Sequence, residues 1–167
     1  MSAPFKKFIP VIDLFAGPGG LGEGFSSHSA SDSKFKIVLS IEKEFFAHQT
    51  LELRSFFRQF NENGAPDEYY QYLRGEVSRD ELFFKFQDQA KKAKSEAWQA
   101  TLGEISSDEV DNRIKKALKK KKSWVLAGGP PCQAYSLVGR SRKGGISPSD
   151  PNVFLYQEYL RILAKHS

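Results

Sequence analysis

The sequence predicts an α/β fold: a doubly wound, Rossmann-like parallel sheet of about four strands. Short apolar segments that suit buried strands alternate with segments of helical periodicity, as parallel strands and their crossover helices do. A glycine-rich turn follows the first apolar segment and is typical of a strand that turns tightly into a helix. With 167 residues, 40% of them hydrophobic, the chain is long enough for one packed domain of this kind.

The first sixty residues predict a right-handed βαβ unit followed by a second helix. Residues 8–15 (FIPVIDLF) are a continuous apolar run closed by glycines, which suits a strand buried on both faces. Residues 21–28 suit a short helix, and residues 36–42 (KIVLSIE) are apolar and β-branched enough for a second strand. Residues 43–60 place aromatic and apolar side chains at roughly helical spacing.

The rest of the chain adds an insertion, two strands and two helices. Residues 61–100 are interpreted as a helical insertion, with a turn-rich break at 61–68 and a long helix over about 78–99. Its apolar stripe predicts core packing rather than chemistry. We expect a third strand at 101–105, a helix at 107–120 capped by Ser107 or Asp108, a fourth strand at 123–128 and an amphipathic helix at 152–165. The stripe consists of Leu82, Phe83, Phe86, Ala90 and Ala93.

Composition excludes several classes of protein. No apolar run approaches the roughly 20 residues that cross a bilayer, so we expect a soluble, cytoplasmic protein with no membrane partner. One cysteine and three scattered histidines exclude a disulfide framework and predict no metal site. Residues 113–167 hold 12 basic and 2 acidic residues, which favours a polyanionic partner such as nucleic acid, although a basic helical run is more often a solvated face.

The first chemical motif is DLFAGPGGLG over residues 13–22. Its glycines let backbone N–H groups approach a ligand, and Gly17, Gly19 and Gly22 satisfy G-x-G-x-x-G. Glu42 ends the second strand 20 residues beyond Gly22, where a carboxylate can accept both hydroxyls of a ribose. The combination indicates an adenosine-containing ligand without distinguishing NAD from S-adenosylmethionine. A tight structural turn is the alternative interpretation.

The second motif is GGPPCQAYS over residues 128–136, just past the end of the fourth strand. In an open parallel sheet ligands bind at that edge. Two prolines stiffen the approach to Cys132, and the surrounding positive charge favours its thiolate, the nucleophilic form. Free cysteines are usually buried and inert, but a Gly/Pro-rich loop argues against burial.

Together, DLFAGPGG and GGPPCQAYS resemble the DNA (cytosine-5)-methyltransferases, whose cofactor loop follows a D-L-F strand and whose nucleophile lies in P-C-Q. A D-P…L-Y-x-E-Y-L-R-I pattern at residues 150–162 extends the resemblance. It implies that residues 1–167 are the N-terminal part of that family's catalytic domain, without the target-recognition region. It also implies a bacterial-type enzyme of the kind found in restriction–modification systems, in a prokaryotic cytoplasm.

The resemblance implies S-adenosylmethionine as the cofactor. Phe15 would stack on its adenine, the loop at residues 17–20 would meet its methionine end, and Glu42 would bind the ribose hydroxyls. Glu104 stands where the family usually has an aspartate that contacts the adenine amino group, and it is one methylene longer. The positions implied for cofactor binding are Asp13, Phe15, Ala16, Gly17, Gly19, Gly20, Leu21, Glu42, Lys43, Glu104, Ile105, Pro130 and Leu155.

The resemblance also implies the reaction: Cys132 attacks C6 of a cytosine, C5 takes the methyl group, and loss of the C5 proton expels the thiol. The cytosine must first be flipped out of double-stranded DNA, because the attack cannot occur inside a duplex. Residues 137–150 resemble the mobile loop that closes over the flipped base, while a simple surface connector is the alternative. Candidate DNA contacts are Gln133, Ser136, Arg140, Arg142 and Lys143.

Two departures from the family pattern qualify this interpretation. Pro151, Asn152 and Val153 offer no arginine after Asp150, and neither E-N-V nor Q-x-R-x-R occurs in the 167 residues. We therefore expect the cofactor and nucleophile half of an enzyme that needs downstream segments or a complementing C-terminal chain, and little methylation by residues 1–167 alone. A non-catalytic remnant that binds S-adenosylmethionine or nucleic acid is the alternative. An NAD-dependent oxidoreductase fits the glycine loop but leaves P-C-Q unexplained.

Overall fold

The computed structural model describes residues 7–30, 33–60, 64–130 and 155–166. These residues form a sheet whose parallel strands run in the spatial order β4-β3-β1-β5, while the short β2 pairs antiparallel with the start of β3. The predicted α/β, Rossmann-like class with four parallel strands is confirmed. The strands are β1 (Lys7–Leu14), β2 (Ser29–Ala30), β3 (Ser33–Glu42), β4 (Ala97–Gln99) and β5 (Val125–Gly128).

The strand order creates a switch point beside β1. From β1 the chain adds β3 and then β4 on one side, and it returns to add β5 on the other side of β1. Leu14 pairs with Gly128 and also with Ile41, so β1, β3 and β5 end at one common edge. A crevice opens between the diverging connections at such an edge, and ligands of open α/β sheets bind there.

Seven helices lie within the described ranges, and side-chain caps fix where several of them begin. The Glu44 side chain accepts a hydrogen bond from Ala47 N before α2, and Ser78 forms a capping box with Glu81 before α4. The helices are α1 (Gly20–Ser27), α2 (Phe45–Arg58), α3 (Asp67–Leu73), α4 (Arg79–Lys85), α5 (Gln87–Glu96), α6 (Ser107–Leu118) and α7 (Leu155–His166). None of them is long and apolar enough to cross a membrane.

Helices cover both faces of the sheet, as a doubly wound fold requires. Ile12 and Leu14 point to one face, where they join a core with buried residues of α6 and α7. Val11 lies in a separate cluster with Ile37 and Phe25, which belongs to α1. Successive strand residues point to opposite faces, so a continuously apolar strand supplies both cores.

A further core lies away from the sheet, between α2, α4 and α5. Phe56 stacks on Phe83 with 4.8 Å between ring centroids, and both side chains are buried. The five residues of the predicted apolar stripe all belong to this cluster or pack against it. The prediction that the stripe forms core is confirmed. Arg58 on α2 pairs with Glu23 of α1 and Glu96 of α5, and so joins the three helices.

Several predicted boundaries are wrong. The third parallel strand is Ala97–Gln99 rather than residues 101–105, because pairing with β3 stops where Gln99 meets Glu42. The chain then turns through Gly103, whose φ is 92°. The predicted long helix over 78–99 is two helices separated at Phe86, whose non-helical φ of −120° and ψ of 59° break the run.

Two smaller corrections concern helix starts. Helix α6 is capped by Ser106 rather than by Ser107 or Asp108, because Ser106 keeps a non-helical backbone and its hydroxyl accepts from Glu109 N at 3.3 Å. Helix α3 begins at Asp67, inside the stretch at 61–68 that was predicted as a break. Whether residues 61–100 are an insertion relative to the family stays a prediction.

The contact between β5 and β1 leaves no room for a side chain at Gly128. A Cβ atom there would lie 2.0 Å from the carbonyl oxygen of Leu14, and the residue has φ of 139°. We expect Gly128→Ala to lower the free energy of unfolding by about 3–5 kcal/mol, the range of severe backbone clashes. Gly129→Ala, where a Cβ would meet nothing within 4 Å, is the control. Equal urea unfolding curves for the two variants would contradict the close approach.

Candidate functional site

The glycine-rich loop leaves β1 through an unusual backbone. Phe15, Gly17 and Gly19 all have positive φ, at 55°, 55° and 89°. A positive φ is unfavourable for a bulky residue such as Phe15, and strain of this kind concentrates at functional sites. Ala16 N donates to Ile41 O at 3.0 Å, which holds the strained segment against the end of β3.

The Glu42 carboxylate anchors this loop. One oxygen accepts a hydrogen bond from Gly17 N at 2.8 Å, and the other accepts from Glu44 N at 2.8 Å. A single half-buried side chain thus links the end of β3, the glycine loop and the start of α2. Hydrogen bonds to an ionised carboxylate are stronger than neutral ones, so Glu42 is fixed in place before any ligand binds.

A cavity of about 480 Å³ opens next to Glu42, at the common edge of the strands. That volume lies within the roughly 300–1,000 Å³ of small-molecule sites. Five of the predicted cofactor residues line it: Phe15, Glu42, Lys43, Glu104 and Leu155. They come from four separate parts of the chain: the end of β1, the end of β3, the turn after β4 and the start of α7.

The other predicted cofactor residues do not line the cavity. Gly17 reaches Glu42 through its backbone N–H, Ala16 and Gly19 are buried, and Asp13 lies at the end of β1 beneath the loop. Gly20 and Leu21 line a separate, shallow apolar groove beside α1. Ile105 packs against the core under α6 and α7. Pro130 follows Gly129, which does line the cavity.

The predicted nucleophile and DNA contacts lie outside the described residues. The structure brings the chain only as far as Gly129 and Pro130, beside the cavity. The roles of Cys132, Gln133, Ser136, Arg140, Arg142 and Lys143 therefore stay predictions.

Sequence reasoning missed a large part of the cavity wall. The main omission is the turn after β4, because the strand was placed at 101–105 and its carboxyl end was therefore misplaced. The pattern that could have found it is the run AWQA at residues 97–100, which is short and apolar before a polar Thr101. The missed lining residues are Ile41, Ala100, Thr101, Leu102, Gly103, Gly129, Gln157 and Glu158.

Helix α7 closes the cavity and is held by a network of hydrogen bonds. Tyr159 Oη donates to Leu126 O of β5 at 2.8 Å, and Trp124 Nε1 donates to His166 O at 3.2 Å. Arg161 bridges the cavity-lining Glu158 and the buried Asp111 of α6. Leu155 thereby packs close to Gly103, where a Cβ would lie 3.4 Å from its Cδ2 atom.

Asp13 is the most perturbed ionisable group near the loop. Its side chain is 1% exposed, and neither carboxylate oxygen has a hydrogen-bond partner among the described residues. Burial raises the pKa of Asp13 to about 6, and the charge of Glu42 adds to this effect while Arg58 opposes it. A carboxylate of this kind is costly when ionised unless a cationic group comes near it.

The described part of the chain contains no set of side chains suited to bind a metal ion. No group of three or more His, Cys, Asp or Glu side chains lies close enough there to hold a metal ion. The site described so far consists of a strained loop, an anchored carboxylate and an apolar cavity.

This fold and this cavity define a Rossmann-like α/β domain with its ligand site at the switch point. The chain is 35% identical over 170 aligned residues to the Type II methyltransferase M.Bpa9945I of Bacillus paralicheniformis (strain ATCC 9945a / NCIMB 11709 / CD-2). The alignment covers 92% of this chain and 37% of the relative, so the chain spans little more than a third of that protein's length. No protein-family profile and no solved structure matches the chain. This similarity to a Type II methyltransferase agrees with the resemblance that the two motifs carry.

The raised pKa of Asp13 predicts a pH-dependent stability difference. In the unfolded chain Asp13 ionises near pH 3.9, whereas burial raises its folded pKa to about 6. The folded state therefore binds the proton more tightly, and an energetic penalty develops as pH rises from about 4 to above 6. The Asn side chain of the Asp13→Asn variant does not ionise. The free energy of unfolding of this variant, relative to the wild type, should therefore rise by about 2–3 kcal/mol as the pH increases from 4 to 7.

Urea unfolding at several pH values between 4 and 7 measures this difference. The exposed Asp108→Asn in the first turn of α6 is the matched control, and it should show no comparable rise. A difference between wild type and Asp13→Asn that stays constant with pH would contradict the raised pKa.

Proposed function

We propose that this chain forms the cofactor-binding and nucleophile part of a DNA methyltransferase that modifies C5 of cytosine and uses S-adenosylmethionine. One observation carries the proposal: the cavity at the switch point places Phe15 and the anchored Glu42 beside Gly129, which leads into P-P-C-Q. The cofactor motif and the first residues of the second motif, Gly128 and Gly129, therefore lie at one edge. The Type II methyltransferase name of the 35% identical relative supports methyl transfer as the reaction.

The cavity suits an adenosine-containing cofactor. Each carboxylate oxygen has two acceptor sites, so after bonding Gly17 N and Glu44 N, Glu42 keeps one free site on each oxygen for a ribose hydroxyl. Phe15, Leu102 and Leu155 supply apolar surface for a base. The exposed Glu104 at the rim can accept a hydrogen bond from an exocyclic amine. When bound, S-adenosylmethionine supplies the electrophilic methyl group that C5 of the cytosine takes.

Asp13 adds an electrostatic argument for a positively charged ligand. Its buried carboxylate, which has no hydrogen-bond partner among the described residues, lies near the end of β1, two residues before the strained Phe15. S-adenosylmethionine carries an ammonium and a sulfonium, and either charge would favour the ionised form of a nearby carboxylate. Binding near Asp13 would thus lower its pKa and release a proton at pH values close to 6.

Cys132 acts on the base rather than on the cofactor. Its thiolate forms a bond to C6 of the flipped cytosine, which makes C5 nucleophilic. After methyl transfer, loss of the C5 proton breaks the S–C6 bond and restores the aromatic ring. The close approach of the Gly128 backbone to Leu14, which leaves no room for a Cβ atom, supports this role. It brings the segment that leads to Cys132 against the end of β1.

The cofactor assignment predicts the effect of removing the Glu42 charge. Glu42→Gln keeps one acceptor oxygen for the backbone and loses the second, so S-adenosylmethionine affinity should fall by about 1–3 kcal/mol, roughly 5- to 150-fold. Glu44→Gln, two residues along and outside the cavity lining, is the control and should bind as the wild type does. Isothermal titration measures both, with NAD as the competing ligand. Unchanged affinity in Glu42→Gln, or tighter binding of NAD, would contradict the proposal.

The nucleophile assignment predicts a covalent adduct through Cys132. In 5-fluorocytosine DNA fluorine replaces the C5 proton, so elimination stalls and the S–C6 bond persists. The chain, mixed with a C-terminal polypeptide that carries an E-N-V segment, should form this adduct on gels. Without an acid near N3 the rate should fall by about 10²–10⁴-fold.

Cys132→Ser is the test variant, and a duplex with thymine in place of 5-fluorocytosine is the substrate control. Both should give no adduct. Adduct formation by Cys132→Ser would assign the nucleophile to another residue. S-adenosylmethionine binding without any adduct from the complemented wild-type chain would favour a non-catalytic binding remnant.

A further inference from the structure

Seven lysines cluster at the ends of α6 and α7, and we call this surface the lysine edge. All seven side chains are exposed, and none is in an ion pair within the described part of the chain. A solvated helix face usually mixes charges of both signs, so a surface of one sign calls for an explanation. The lysine edge consists of Lys115, Lys116, Lys119, Lys120, Lys121, Lys122 and Lys165.

The lysine edge lies at the end of the sheet opposite the cavity. Lys122 precedes β5, which begins at Val125 beside Val11 and ends at Gly128 beside Leu14. At about 3.3 Å per residue, the six steps from Lys122 to Gly128 span roughly 20 Å. Helix α7 runs from the cavity to the lysine edge. Leu155 at its start lines the cavity, whereas the bond from Trp124 to His166 O brings its end, with Lys165, beside the start of β5.

Acidic groups on the same two helices do not neutralise this surface. Asp108 and Glu109 lie in the first turn of α6, and Glu158 lies in the first turn of α7, so all three are at the far ends of their helices. Asp111 is buried and is already bonded to Arg161 and His166. Lysines at a helix C-terminus interact favourably with the helix dipole only within the last turn. Lys120, Lys121 and Lys122 lie beyond the end of α6, so the dipole does not explain them.

The backbone at the centre of the lysine edge is strained. Lys119 and Lys120 have φ of 48° and 64°, the left-handed conformation in which helices usually end with glycine. Two successive lysines occupy positions where glycine would be unstrained. Unfavourable backbone conformations of this kind cluster at ligand-binding and switch sites.

We propose that the lysine edge binds the sugar–phosphate backbone of duplex DNA, at a segment other than the one that presents the target base. This partner rests on the proposed function. Lysine is a compact, strongly hydrated point charge that suits phosphate contacts. Interfaces between proteins deplete lysine and need an apolar centre, and residues 115–122 expose no large apolar side chain.

The position of the lysine edge determines what such binding can do. Because it lies roughly 20 Å from the cavity edge, one straight duplex seated over the cavity does not pass over it. The lysine edge therefore holds a second duplex or a distant stretch of the same bent molecule. Contacts of this kind are independent of sequence and strongly salt-dependent, so they retain the protein on DNA without selecting a site.

The test compares two triple variants with the same loss of charge. Lys120→Gln/Lys121→Gln/Lys122→Gln removes three charges from the lysine edge, and Lys91→Gln/Lys92→Gln/Lys94→Gln removes three exposed charges from α5. Binding is measured by fluorescence anisotropy on a labelled duplex of A·T pairs at several salt concentrations. The lysine-edge variant should bind about tenfold more weakly at low salt. The slope of its log K against log salt should be smaller in magnitude by about two to three.

The control variant should stay within about twofold of the wild type, and Lys120→Arg/Lys121→Arg/Lys122→Arg should retain binding because it keeps the charge. Equal weakening of both Gln variants would show an effect of net charge alone and would overturn the proposal. Stronger binding to a polyglutamate peptide than to the duplex would also overturn it, in favour of an acidic protein partner. The A·T duplex lacks cytosine, and S-adenosylmethionine titration of the same variants reports separately on the cavity.

Discussion

The two hydrogen bonds of the Glu42 carboxylate are the constraint on which the candidate site depends. They link the end of β3 to the strained glycine loop after β1 and to the first residues of α2. Without them Gly17 N and Glu44 N would lose their acceptor, and the loop would lose one of its hydrogen bonds to β3. Because the same carboxylate also lines the cavity, the group that stabilises the loop is the group that a ligand meets.

The fold makes this arrangement possible through its strand order. The chain reverses beside β1, so the loop after β1 and the segment after β5 open onto one crevice. The contact of Gly128 with Leu14 brings the two segments together. The glycine loop and the segment that leads towards Cys132, more than a hundred residues apart in the chain, therefore border the same cavity, as the proposed function requires.

Burial and charge are divided between the two ends of the sheet. At the carboxyl end, Asp13 is buried with no hydrogen-bond partner in the described part of the chain, and Phe15 has a strained backbone; both are features of a site prepared for a ligand. At the amino end, the lysine edge is exposed and positively charged. Helices α6 and α7 both have acidic residues in the first turn and basic residues in the last turn. This arrangement stabilises each helix through its dipole, and it also places the positive potential away from the cavity.

Local pattern was sufficient for the first half of the fold and for placing Phe15 and Glu42 at the edge where the cavity opens. The apolar runs that became β1 and β3, the glycine loop and Glu42 at its strand end could all be predicted, because buried parallel strands and tight turns impose strong local requirements. The pattern was insufficient at residues 97–105. A three-residue strand has too few residues to show periodicity, so its carboxyl end, and with it Thr101, Leu102 and Gly103 in the cavity wall, was misplaced.

The sequence by itself determined the class of fold, the apolar stripe of the helical region and the two motifs that resemble those of the DNA (cytosine-5)-methyltransferases. The tertiary structure alone decided which residues share a cavity, since Gln157 and Glu158 reach it through the packing of α7 and the bonds of Tyr159 and Arg161 to β5 and α6. It also decided the raised pKa of Asp13 and the distance of the lysines from the cavity. Burial, electrostatic environment and position relative to a distant strand depend on contacts between remote segments, and a local pattern does not contain those contacts.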